Sequence, residues 1–83
     1  MEFYRIDQLH LAIYISHMHI ICNGKKQSLE SDCTLKLLLS LHKLEPDTVV
    51  AEVNQQIIER DQYSTLKLKD GDTVELIRFV GGG

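Results

Sequence analysis

Residues 17–29 read His17-Met18-His19-Ile20-Ile21-Cys22-Asn23-Gly24-Lys25-Lys26-Gln27-Ser28-Leu29, and this stretch decides the fold. The run from about His17 to Cys22 is a candidate strand. Asn23-Gly24 comes next, and both residue types tolerate the positive φ that a two-residue type I′ hairpin turn demands. Lys26 to Leu29 then reads as the return strand. A hairpin opens the domain, and the rest of the chain must cover one of its faces.

Downstream, Ser31-Asp32-Cys33-Thr34 supplies N-cap candidates for a leucine-rich helix over about Leu35 to Lys43. At roughly 100° per residue, Leu35, Leu38, Leu39 and His42 share one side, while Leu37, Leu41 and Leu44 form a second stripe. A helix lying on one sheet needs only the first stripe; the second calls for another cover or stays exposed. Pro46 closes the helical region, because the residue before a proline is pushed out of α geometry. Thr48 to Val53 is rich in β-branched residues and predicts a strand with Val49, Ala51 and Val53 on one face. Asn54-Gln55-Gln56 predicts a turn, and Ile57-Ile58 a short continuation. Glu59–Leu68 is polar and irregular, anchored by Tyr63, Leu66 and Leu68. Asp70-Gly71-Asp72 is a second clear turn before a last strand, Thr73 to Val80. The order β-β-α-β-(short)-β is α+β, with one helix packed across a mixed sheet.

Upstream of the hairpin, Leu9, Leu11, Ile13 and Ile15 alternate with His10, Ala12 and Tyr14. Residues 1–17 read as an N-terminal extension. It is an extra strand at the sheet edge, a cover for the Leu37/Leu41/Leu44 stripe, a means of dimerising by strand exchange, or a plain leader with Met18 as the natural start. It is expected to be dispensable for function. The apolar run is short, broken by His10 and preceded by Glu2 and Asp7, which fits neither a signal peptide nor a membrane span.

Composition narrows the function. The chain has 83 residues, 43% hydrophobic and 25% charged, with nine basic against twelve acidic residues for a net charge of −3. One domain of this size cannot wall off a deep substrate cavity. The charge balance argues against nucleic-acid or anionic-membrane binding, which needs clustered Lys and Arg. Cys22 and Cys33 are too few for a secreted disulfide scaffold and read as free thiols in a reducing cytoplasm. His17 and His19 share one strand face and Cys22 takes the other, so the three cannot converge on a metal. His10 and His42 have no acid or nucleophile at useful spacing, and no Walker-type or Rossmann loop is present. The chain does not read as an enzyme.

The tail carries more. Gly81-Gly82-Gly83 follows an apolar strand with no polar spacer. Lacking Cβ, an extended Gly-Gly threads a channel too narrow for any other residue, and it leaves the carboxylate of Gly83 open to attack on ATP. The tail reads as a substrate offered to another protein's active site. On the last strand Val74 and Leu76 fit the core face, which leaves Thr73, Glu75, Ile77 and Phe79 outside. Ile77, Phe79 and Val80, next to the tail, are assigned to partner docking, and Arg78 reads as a solvated charge.

Further residues carry a resemblance. They are Met18 through Gly24, Thr34-Leu35 with Leu38-Leu39, Leu44-Glu45-Pro46, and Val49 through Asn54 with its Glu52-Val53-Asn54 signature. Arg60, Leu68-Lys69-Asp70-Gly71-Asp72, Val74-Glu75-Leu76 and Phe79-Val80-Gly81-Gly82-Gly83 complete the set. From Met18 onward the chain resembles the thiamine-biosynthesis sulfur carrier (ThiS) family, small β-grasp proteins related in fold to ubiquitin. The resemblance implies a β-grasp sulfur carrier domain over 18–83. It implies that the Gly83 carboxylate is adenylated by an E1-like adenylyltransferase (ThiF type) using MgATP, with no cofactor bound by the carrier itself. A sulfur donor such as cysteine desulfurase or rhodanese then yields a thiocarboxylate, which passes its sulfur to thiazole synthase (ThiG type) in the cytoplasm. The small subunit of molybdopterin synthase, or another ubiquitin-like carrier or modifier, is the alternative; the Asn23-Gly24 hairpin and the Glu52-Val53-Asn54 signature favour the thiamine branch. The chain departs from the family at Lys43 and Gln55, where Gly is usual, so the helix end and second hairpin are expected to be reshaped. It also departs at Leu37, where an acid would complete a capping box with Thr34.

Overall fold

The computed structural model describes residues 17–79. Strand β1 (His17–Cys22) turns through Asn23 and Gly24, at φ 51° and 82°, into β2 (Lys25–Glu30), pairing from His17↔Glu30 to Cys22↔Lys25. The two left-handed residues set the I′ register, and that register puts Met18, Ile20, Cys22 and Leu29 on one buried face.

Helix α1 (Leu35–Leu41) begins at Thr34, whose Oγ1 accepts the Leu37 N–H at 3.1 Å. Leu35, Leu38 and Leu39 point into the sheet and are fully buried. The helix stops before the predicted Lys43, because Lys43 turns left-handed at φ 58°. Its N–H donates to the Ser40 carbonyl at 2.9 Å, and the Leu44 N–H to the Leu39 carbonyl at 2.9 Å. That pair of bonds is a Schellman closure. Leu44 supplies its apolar contact by packing against the core.

A 3-10 turn at Pro46–Thr48 leads into β3 (Val49–Val53), with Val49, Ala51 and Val53 buried as predicted. Asn54 and Gln55, at φ 52° and 71°, turn the chain into the short β4 (Gln56–Ile57). The helix end and the second hairpin are therefore not reshaped. Lys43 and Gln55 keep the left-handed geometry that glycine adopts without strain. An irregular segment comes next, pinned by buried Tyr63 and Leu68 and by half-buried Leu66. The Tyr63 hydroxyl donates to the Val49 carbonyl at 2.9 Å. The Asp70–Asp72 turn docks along β1, where Asp70 Oδ1 accepts the His19 N–H and Gly71 N–H donates to the His19 carbonyl, each at 2.7 Å. The last strand, β5 (Thr73–Arg78), slots between β1 and β3, parallel to the first and antiparallel to the second. The sheet order is β2-β1-β5-β3-β4, with α1 across one face: a β-grasp. No helix among the described residues is long and apolar enough to cross a membrane.

Candidate functional site

The strand that leads to the glycine tail is the centre of the sheet, and both hairpin turns grip it. On the β1 side the regular ladder ends at Cys22↔Val74, since the chain turns away at Asn23. Asn23 takes over. Its N–H donates to the Val74 carbonyl at 2.9 Å, its Oδ1 accepts the Leu76 N–H at 2.8 Å, and its Nδ2 donates to the Leu76 carbonyl at 3.3 Å. A side-chain amide thus replaces one missing step of strand. On the other side Asn54 does the same for Thr73, accepting its N–H at 3.0 Å and donating its own backbone N–H to the Thr73 carbonyl at 2.7 Å. Asp72 locks this turn, with Oδ1 accepting from Asn54 Nδ2 at 2.9 Å and Oδ2 from the Lys69 N–H at 2.7 Å. The strand stays anchored to its last described residue, where the Phe79 N–H donates to the Thr48 carbonyl at 3.1 Å.

Val74 and Leu76 enter the core, and Thr73, Glu75, Ile77 and Phe79 lie exposed, as the alternation predicts. Ile77 is 49% and Phe79 43% exposed. Arg78 is exposed as well. Val80 and the glycines Gly81, Gly82 and Gly83 lie outside the described residues, as does the alternating Leu9–Ile15 run. The β3–β5 register adds what the sequence reading missed. It sets half-buried Val50 opposite Ile77, and Glu52 opposite Glu75. Exposed Ile57 sits on the far side of Glu52. The outer sheet face is an apolar strip of Val50, Ile77 and Phe79 next to a pair of facing carboxylates. Like charges directly opposite on a sheet face disfavour the pairing.

The remaining chemistry-bearing groups sit elsewhere. His17 and His19 are exposed while Cys22 is buried on the other face. His42 does have partners, supplied across the fold: Nε2 lies 2.9 Å from Gln27 Oε1 and 3.9 Å from Cys22 Sγ. The short contact to the Gln27 amide fastens the helix end to β2. Burial, then the Glu75 charge, pushes the Cys22 thiol above its ordinary value; burial, then Glu30, does the same for Cys33. Both cysteines are free, buried and disfavoured as thiolates, the opposite of a nucleophile's setting.

The ThiS family model matches residues 18–83. The sulfur carrier protein ThiS of Bacillus subtilis is 39% identical over 62 residues, which cover 74% of this chain and 94% of that protein. A thiazole synthase of Paramagnetospirillum magneticum is 29% identical over 66 residues, and there the chain spans 20% of the relative's length. The crystal structure of the thiamine biosynthesis protein ThiS from Geobacter metallireducens superposes with a TM-score of 0.67 at 33% identity, covering 80% of this chain and all (100%) of that one. One family's boundaries take in about four-fifths of the sequence, and a solved relative shares the fold: the chain belongs to the ThiS family.

Proposed function

We propose that this chain is a sulfur carrier for thiamine thiazole biosynthesis and that Gly83 carries the sulfur. The observation that supports this reading best is the 39% identity running over 94% of the Bacillus subtilis sulfur carrier. In the site of an E1-like adenylyltransferase, a Gly83 carboxylate oxygen attacks the α-phosphorus of ATP and expels pyrophosphate. Free sulfide then displaces AMP to leave a thiocarboxylate directly. A persulfide on a donor such as a cysteine desulfurase or rhodanese instead displaces AMP to form an acyl disulfide. A thiol reductant cleaves its S–S bond to the thiocarboxylate, the donor cysteine leaving in a disulfide with that thiol. A carboxylate is a poor acceptor, an acyl-adenylate a good one, and a thiocarboxylate a soft and strong nucleophile. MgATP belongs to the activating partner. The carrier supplies the reacting atom, a slim tail of Gly81 and Gly82, and a docking surface of Ile77, Phe79 and Val80. The matches to thiazole synthases favour an enzyme of that kind as the acceptor.

The test is intact mass. Incubating the chain with MgATP, a ThiF-type enzyme and sulfide should raise its mass by about 16 Da, the exchange of one oxygen for sulfur, confined to the C-terminal peptide. An unchanged mass, with pyrophosphate released from a control carrier by the same enzyme, overturns the reading.

A further inference from the structure

The second leucine stripe of α1 is bare among the described residues. Leu37 is 50% and Leu41 57% exposed, while Leu44 has folded away against the core. These two leucines form one wall of a groove of about 300 Å³. Its other wall is the end of β2 and the loop after it, including Leu29, Glu30, Ser31 and Asp32. The groove is about twice a cavity that holds one benzene ring, room for about two aliphatic side chains. It lies beside β2, a terminal strand of the sheet, whose outer edge has no partner among the described residues.

The first described residue, His17, lies at this place. His17 pairs with Glu30, so the link to residue 16 enters the fold one strand spacing, ~4.8 Å, from a residue of the groove wall. Just before that link come Leu9, Leu11, Ile13 and Ile15, alternating so that an extended segment has one wholly aliphatic side. Extended, 9–15 spans ~20 Å, against ~6 Å between Leu37 and Leu41 along the helix. We propose that residues 9–15 of the same chain occupy this groove, with their Leu/Ile side laid over Leu37 and Leu41. The covalent link favours the chain's own segment over a second copy. A single-residue tether holds the segment at an effective concentration in the millimolar range or above, far beyond that of another molecule in dilute solution. This placement is independent of what happens at Gly83.

Methyl-labelled full-length protein tests it. Nuclear Overhauser contacts should join the Ile13 or Ile15 methyls to those of Leu37 or Leu41, unchanged in intensity on tenfold dilution. Ile13→Asp in the full chain should shift the Leu37 and Leu41 methyl resonances while leaving those of Val49 and Val74 in place. No contact between 9–15 and the helix overturns the proposal. So do contacts seen only between labelled and unlabelled molecules, which would make the occupant a second copy.

Discussion

Lys43 and Gln55 hold backbone geometry that their side chains resist. At φ 58° and 71° each sits in the left-handed region, where a Cβ costs about 1–2 kcal/mol, partly offset by the entropy that glycine would lose on folding. Lys43→Gly and Gln55→Gly should each stabilise the protein by about 0.5–1 kcal/mol, raising the midpoint of a thermal melt by about 4 °C. The two thiols make a pH prediction. Their folded pKa values lie above the ordinary 9.0, so the folded state binds the proton more tightly than the unfolded chain. Their contribution is complete below the ordinary thiol range and is lost as pH climbs through the raised folded values. The urea midpoint should fall above pH ~8.5, and the double variant Cys22→Ala/Cys33→Ala should fall less steeply over the same range.

At the scale of elements, β5 depends on side chains from turns that are remote in sequence. Asn23→Ala should leave the Leu76 N–H and carbonyl without their partners and cost about 2 kcal/mol, seen as a melt about 10 °C lower. Asn23→Asp, which keeps the acceptor but not the donor, should fall between. The elements themselves were legible, because the signals for them are local: the Asn23-Gly24 turn, the alternation of Val49, Ala51 and Val53, the Thr34 cap, the Asp70-Gly71 turn. What escaped was pairing. Nothing near Val50 says that it faces Ile77, or near His42 that Gln27 and Cys22 will meet it, since strand order and helix placement are set by contacts distant along the chain. Lys43 misled in a different way. Its propensity fits a helix, but burying Leu44 needs a left-handed residue before it, and that packing overrode local preference.

The whole molecule divides its surfaces. Among the described residues, one sheet face meets α1 and is sealed, while the other is uncovered and carries the apolar strip of Val50 on β3 with Ile77 and Phe79 on the segment that precedes the tail. Phe79 contributes to the surface rather than the core, so Phe79→Ala should shift the melt by less than about 2 °C. If the tail is adenylated and Phe79 docks the activating enzyme as proposed above, the same variant should lower kcat/KM for that adenylation about tenfold, the size of effect expected on truncating an aromatic anchor. Unchanged adenylation would remove Phe79 from the docking surface. The central position of β5 also has a mechanical consequence. Any tug on the C-terminal end is a load along the axis of an inner strand bonded on both flanks, to β3 over five residue pairs and to β1 and Asn23 on the other side. Such a load shears many bonds together instead of peeling them singly, so the body should resist extraction even when its end is gripped hard.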